Sequence, residues 1–199
     1  MNLTREEARH RSEIIKVERY HVRIDVRGAD ADGATHFTSN TRVRFSTTEP
    51  DTFLDLLDGE IESVIVNGEE VEPEYDGSRI QLHGLHTHRE NLVIVTAKLP
   101  YQHTGQGLHR FVDPADGKVY LYTHFEAADS RRMYSVFEQP DLKAHVDFDV
   151  IAPSDWRVAS NQVHEDIREE EDGLLHDFAL TPRMSTCLLY TSPSPRDGL

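Results

Sequence analysis

The run Tyr20-His21-Val22-Arg23-Ile24-Asp25-Val26-Arg27 alternates apolar and polar side chains without a break. A period of two places Tyr20, Val22, Ile24 and Val26 on one face of an extended chain and the polar set on the other. That pattern predicts a half-buried strand. Turn residues follow over Asp30-Ala31-Asp32-Gly33. A second alternating run puts Phe37, Thr41, Val43 and Phe45 on one face and Thr38, Asn40, Arg42 and Arg44 on the other. The two runs predict a long antiparallel hairpin.

Further strand signals recur at short intervals: Phe53 to Leu57, Val64 to Val66, Ser78 to Leu82, Leu92 to Leu99, Val119 to Phe125, Ala144 to Val150, Trp156 to Ala159 and His176 to Leu180. Asn67-Gly68 after Val64-Ile65-Val66 is a tight-turn signal between extended segments, and Asp76-Gly77 marks another turn. No helices separate the strands, so parallel βαβ units are not expected. The fold class is mainly β, an antiparallel β-sandwich or saddle-like sheet. One short helix precedes it, read over residues 3–16 and polar enough to lie solvated on the domain edge. Thr4 and Glu7 have the spacing of a capping box at its start.

The strand region runs over 17–186, and 1–186 form one domain. The tail 187–199 changes character: Ser192-Pro193-Ser194-Pro195-Arg196-Asp197-Gly198 has no periodicity, and prolines cannot donate to a ladder. It is expected to be disordered and, resembling translated adapter sequence, not native. Resequencing the locus decides: a natural reading frame through this tail refutes the expectation.

Composition bounds the function. The 199 residues carry a formal net charge of −15, with 37% apolar and 29% charged side chains. Such a surface repels phosphate backbones, so no nucleic-acid partner is expected, and anionic membranes are disfavoured for the same reason. No apolar run reaches the roughly 20 residues of a membrane span. The N-terminal residues lack the apolar core of a signal peptide. The single cysteine, Cys187, excludes an internal disulfide and has no motif around it. A cytoplasmic protein is expected.

Candidate chemistry is sparse. His164-Glu165-Asp166-Ile167-Arg168 approaches H-E-x-x-H, but Arg168 stands where the second zinc ligand is needed, and arginine cannot ligate zinc. The acidic residues Glu169 to Asp172 read as a solvated loop. His83, His86 and His88 cluster within a loop around Gly84; a metal-binding module is one reading, an exposed polar loop the simpler one. No metal site is expected. The segment Tyr120-Leu121-Tyr122-Thr123-His124-Phe125-Glu126 ends a strand on an acid, with Arg131 and Arg132 following. A carboxylate at a strand end can hold a cationic group such as a free amine. An ion pair with Arg131 or Arg132 is the plainer alternative.

Three blocks carry a family resemblance: Gly107-Leu108-His109-Arg110-Phe111-Val112-Asp113-Pro114, then Tyr120 through Arg132, then Phe137-Glu138-Gln139-Pro140-Asp141-Leu142-Lys143-Ala144. Together they resemble the aminopeptidase N family of zinc metallo-aminopeptidases, notably its actinobacterial-type members. Leu3 to Ala8 and Ser160-Asn161 are similar too, so the resemblance covers about 3 to 186. It implies a β-rich N-terminal domain packed on a thermolysin-like catalytic domain of the same parent chain. That catalytic domain would carry G-x-M-E-N and H-E-x-x-H, both missing here, so this chain is expected to stop before the zinc site. The fragment alone would then be inactive, with no catalytic residue, while zinc serves the parent enzyme, which removes N-terminal amino acids from peptides. The family's T-Q-x-E motif helps bind the substrate's α-amine. Thr123-His124-Phe125-Glu126 occupies that motif, so the resemblance gives Glu126 the amine-binding role. His124 stands in place of Gln as a neighbouring substrate contact, still able to donate or accept a hydrogen bond. The alternative is a stand-alone β-sandwich binding module without catalysis.

Overall fold

The structure, a computed structural model, describes residues 3–194, with side chains described through 190. Helix α1 (Arg5–Ile14) opens on the expected capping box. The Glu7 amide donates to Thr4 Oγ1 at 3.2 Å, and the Thr4 amide donates to the Glu7 carboxylate at 2.8 Å. The helix ends two residues before the expected Lys16, because Ile15 already extends into the first strand. It is also less solvated than its composition suggests: Arg11 is only 2% exposed and points into the domain.

The strands are β1 (Ile15–Asp25), β2 (His36–Thr47), β3 (Thr52–Asp55), β4 (Glu60–Val66), β5 (Glu69–Val71), β6 (Arg79–Leu82), β7 (Asn91–Pro100), β8 (Gly107–Val112), β9 (Val119–His124), β10 (His145–Ala152), β11 (Arg157–Ser160), β12 (His164–Glu170), β13 (Gly173–Phe178) and β14 (Thr191–Ser194). Eight of them form one sheet in the order β12-β13-β10-β1-β2-β7-β4-β5, and three two-stranded sheets pair β3 with β6, β8 with β9, and β11 with β14. The fold is therefore mainly β with a short N-terminal helix, as the periodicity predicts.

The main sheet is mixed rather than purely antiparallel, because β1 and β10 pair in parallel, Tyr20 opposite Val146 and Ile24 opposite Val150. These strands lie far apart in sequence, so no local pattern could announce their direction. The expected hairpin is present, with β1 and β2 pairing antiparallel from Ile15–Thr47 to Asp25–Thr38. Asn67 and Gly68 turn β4 into β5 with φ of 54° and 94°, the positive values a two-residue hairpin turn requires.

Three strands went unread in the sequence. β5 and β12 are wholly exposed, so no buried face imposes a period, and β8 is buried only over its first residues. Glu169 and Glu170, expected in a loop, belong to β12 and pair with Leu174 and Gly173. Part of the tail expected to stay out of any ladder also pairs: residues 191–194 lie antiparallel to β11, and Leu189 just before them is buried. Pro193 is accommodated because β14 has a partner on one side only, where a missing N–H costs little. The rest of the tail, 195–199, lies outside the described residues.

The core lies against the inner face of the main sheet, built from Tyr20, Val22, Ile24, Val43, Phe45, Val93, Val95, Val146, Phe148 and Val150. What packs on it is the irregular connection between β9 and β10. Tyr134 meets Tyr20, Phe125 and Phe148 edge-on at centroid distances of 6.2, 6.0 and 6.4 Å, and Phe137 meets Phe45 at 5.0 Å. A buried connection without a ladder must find other partners for its peptide groups. They come from side chains: Phe137 N–H donates to Tyr20 Oη at 3.0 Å, Ser135 N–H to Thr41 Oγ1 at 3.3 Å, and Glu138 N–H to Asp55 Oδ2 at 3.1 Å. Asp55 and Val136 also exchange both backbone hydrogen bonds, at 2.7 and 3.0 Å.

Candidate functional site

The β8–β9 hairpin and the turn after it carry the residues singled out by the sequence. Along β9 and its continuation, Val119, Leu121, Thr123 and Phe125 are buried while Tyr122, His124 and Glu126 are exposed. An extended chain alternates its faces, so Tyr122, His124 and Glu126 project together away from the core. His124 lies opposite Gly107 and Tyr122 opposite His109. The His109 ring stacks on Tyr122 with centroids 4.7 Å apart, and its Nδ1 accepts from the Gly105 amide at 2.9 Å. Burial pushes the His109 ring below its ordinary pKa. The hairpin thus presents a neutral aromatic ledge leading to an acid.

After Phe125 the chain turns sharply. The Glu126–Ala127 peptide is cis, the Asp129 amide donates back to the Phe125 carbonyl at 3.0 Å, and Ser130–Arg132 form a single 3-10 turn. Gly107 is required where this turn crosses β8. Its φ is +59°, and a Cβ there would stand 2.7 Å from the Arg132 Cβ.

The plain alternative for Glu126, an ion pair with a following arginine, is not what forms. Arg132 Nε donates to Asp129 at 2.7 Å, and its guanidinium approaches Asp58 at 3.7 Å. Arg131 Nε donates to the Ala128 carbonyl at 3.0 Å. Among the described residues, no hydrogen bond or ion pair involves the Glu126 carboxylate, which stays in solvent. Among the described residues, neither the His124 nor the Glu126 side chain has a hydrogen-bond or ion-pair partner.

A scan for known domains finds the Peptidase M1 N-terminal domain over residues 20–188. The chain belongs to this family. It is similar to aminopeptidase N of Streptomyces lividans, 42% identical over 93% of this chain but only 21% of that relative. It is similar also to probable aminopeptidase 1 of Saccharolobus solfataricus, 30% identical over 87% of this chain and 21% of the relative. Aminopeptidase N of Rattus norvegicus shares 32% identity over 40% of this chain and 8% of its own length. The M1 N-terminal domain described here thus spans about a fifth of the first two relatives' length.

Beneath the exposed acid, this M1 N-terminal domain holds a buried polar network that sequence reasoning missed. Arg11 of α1 donates to Asp55 at 3.2 and 3.3 Å, with both side chains only 3% exposed. Arg11 also stacks over the Phe53 ring at 4.2 Å. Asp55 in turn receives the Glu138 amide, and the Glu138 carboxylate receives Ser130 Oγ at 2.6 Å and the Arg131 amide at 2.7 Å. Burial pushes Glu138 up to about 7, against the pull of those donors. Burial likewise pushes the Asp55 carboxyl upward, and the Arg11 charge opposes it. The one available signal was an acid among apolar neighbours in Val136-Phe137-Glu138, too common a pattern to single out.

The histidine readings separate in space. His83 faces Asp51 at 3.0 Å and Glu74 at 3.5 Å, whereas His86 faces Arg89 at 2.6 Å. Arg168, in the segment that approached H-E-x-x-H, pairs with Asp166 and Asp177 on the β12–β13 hairpin. Among the described residues no three His, Cys, Asp or Glu side chains converge as a metal site. Nor is any helix among the described residues long and apolar enough to cross a membrane.

Proposed function

We propose that this domain is the amino-terminal part of a zinc-dependent, cytoplasmic aminopeptidase, and that Glu126 receives the free α-ammonium of the peptide substrate. The zinc ligands and the catalytic groups belong to the remaining part of that enzyme, so the span alone turns over nothing. The observation carrying this reading is a carboxylate just past the end of β9, without a partner among the described residues, in a domain of the M1 family. An ammonium placed against it forms charge-assisted hydrogen bonds, stronger than those between neutral groups. Holding the amine fixes the distance to the first peptide bond, which limits hydrolysis to one residue at a time. His124 shares the exposed side of the strand end and serves as a polar contact beside the amine.

The same hairpin supports the packing partner. Phe111, Val112 and Tyr122 of this hairpin are each more than a third exposed, large apolar groups that the remaining part of the chain would cover.

The test is kinetic. In the full-length enzyme, Glu126→Ala should lower kcat/KM on free-amine aminoacyl arylamides by about ten- to a hundredfold, the cost of losing a hydrogen bond between charged groups. Amine-blocked substrates should bind no worse in the variant than in the parent. Unchanged kinetics on free-amine substrates would remove Glu126 from the site.

A further inference from the structure

Among the described residues Glu126 has no partner of its own, so the backbone on either side sets its position. On one side Phe125 is 2% exposed and packs against Tyr134. On the other, the chain is held at Ser130 and Arg131: the Leu57 amide donates to the Arg131 carbonyl at 2.8 Å, and one carboxylate binds both residues. Each carboxylate oxygen of Glu138 lies 2.6 Å from Ser130 Oγ, and Oε2 also accepts the Arg131 amide at 2.7 Å. Glu138 is itself fixed from behind, its amide bonded to Asp55 and Asp55 bonded to Arg11 of α1. Between the two anchors, the Asp129 amide reaches the Phe125 carbonyl and closes the turn that carries Glu126.

We infer that Glu138 is a positioning residue for Glu126, a buried clamp whose ionised carboxylate draws Ser130 and Arg131 inward and so fixes the acid at the end of β9. The inference rests on the amine-binding reading of Glu126. Ionised carboxylates bind donors more tightly than neutral ones, so protonating Glu138 loosens the clamp. The groups facing it are Asp55 from β3, Arg131 from the turn, the phenols of Tyr20 from β1 and Tyr134, and Arg11 from α1 behind Asp55. With burial setting its pKa at about 7, the clamp tightens as pH rises through neutrality.

The experiment uses the full-length enzyme with Glu138→Ala, Glu138→Gln, Ser130→Ala and Glu126→Ala, read by hydrogen–deuterium exchange over residues 126–134 and by kinetics on a free-amine arylamide. Glu138→Ala should speed exchange in that segment and lower kcat/KM about tenfold, the scale of a lost charged hydrogen bond. Ser130→Ala removes one donor without burying an unpaired charge, and should lower kcat/KM about threefold while remaining folded. Glu138→Gln mimics the protonated clamp: it should match the parent at pH 6 and fall behind it as pH rises past about 7. A parent-to-Gln ratio that stays constant with pH overturns the inference. So do unchanged kinetics in the Glu138 and Ser130 variants when Glu126→Ala is impaired. If Glu126→Ala itself leaves the kinetics unchanged, the amine-binding reading fails, and the positioning role fails with it.

Discussion

Two sets of carboxylates in this domain have opposite fates. On the outer face of the main sheet, Asp147 and Asp149 of β10 are enclosed by cations from β1. Arg19 Nε donates to Asp147 at 2.9 Å, Arg23 donates to Asp149 at 2.8 Å, and the His21 ring sits between them at 3.2 and 3.4 Å. At the end of β9, Glu126 is exposed and uncommitted although two arginines follow closely, because Asp129, Asp58 and the Ala128 carbonyl engage those arginines instead. The ladder's charges answer one another across the sheet's parallel pair, so they bear on stability. The Glu126 charge answers nothing within the described residues, so it is available to a ligand. An ion pair kept at home serves stability; under the amine-binding proposal, a carboxylate without a partner among the described residues serves the substrate.

The strongest test of that contrast is Glu126→Ala, with its expected ten- to hundredfold loss in kcat/KM and a melting temperature close to the parent's. A large drop in melting temperature would make Glu126 structural and erase the difference. Gly107→Ala should come next. The added Cβ meets the Arg132 Cβ at 2.7 Å on a left-handed backbone, which costs about 1–3 kcal/mol of stability and shifts the turn carrying Glu126. Chemical denaturation and kinetics should both respond, and silence in both would mean the crossing is looser than described.

Asp149→Asn should do the reverse of Glu126→Ala, removing about 1–2 kcal/mol of stability and leaving kcat/KM alone. The loss is limited because Arg23, 41% exposed, can turn to water. A kinetic effect from Asp149→Asn would link the outer face to the site and break the division.

The smallest effect is in pH. Hydrogen bonds to Asp147 and then Asp149 raise His21 from 6.5 to about 9. A raised histidine contributes its full stabilisation below 6.5 and loses it as pH rises through about 9. Solvent screening reduces this to about 1 kcal/mol. The decline between those pH values should vanish in His21→Gln, measured by denaturant titration at each pH; a decline that persists assigns it to another group.

Much of the fold was legible because it is periodic. β1, β2 and β10 alternate apolar and polar residues against one core, so hydrophobicity repeats every second residue, and β7 reads as a continuous β-rich run. The capping box at Thr4 and the Asn67-Gly68 turn were legible because they are local: all the atoms involved lie within a few residues. Where a strand has no buried face, as in β12 and β5, nothing in the sequence marks it. Of the site, the resemblance pointed to Thr123-His124-Phe125-Glu126 as a unit, and alternation along β9 accounts for the shared exposure of His124 and Glu126. The partners of the arginines were open at that level, since Asp129 and Asp58 were equally available names.

The sequence by itself determined the mainly β character, the lone N-terminal helix, the β1–β2 hairpin and the place of an acid at the end of β9, because these depend on neighbours along the chain. Only the tertiary structure decided that β1 and β10 run in parallel, that Arg11 and Asp55 pair inside the domain, and that Glu138 grips Ser130 and Arg131 beneath Glu126. The physical reason is burial at long range. Once the β9–β10 connection enters the core, its peptide groups must be satisfied by whichever polar side chains the topology brings there. Arg11 and Asp55, 44 residues apart in the chain, meet for that purpose and no local pattern records it.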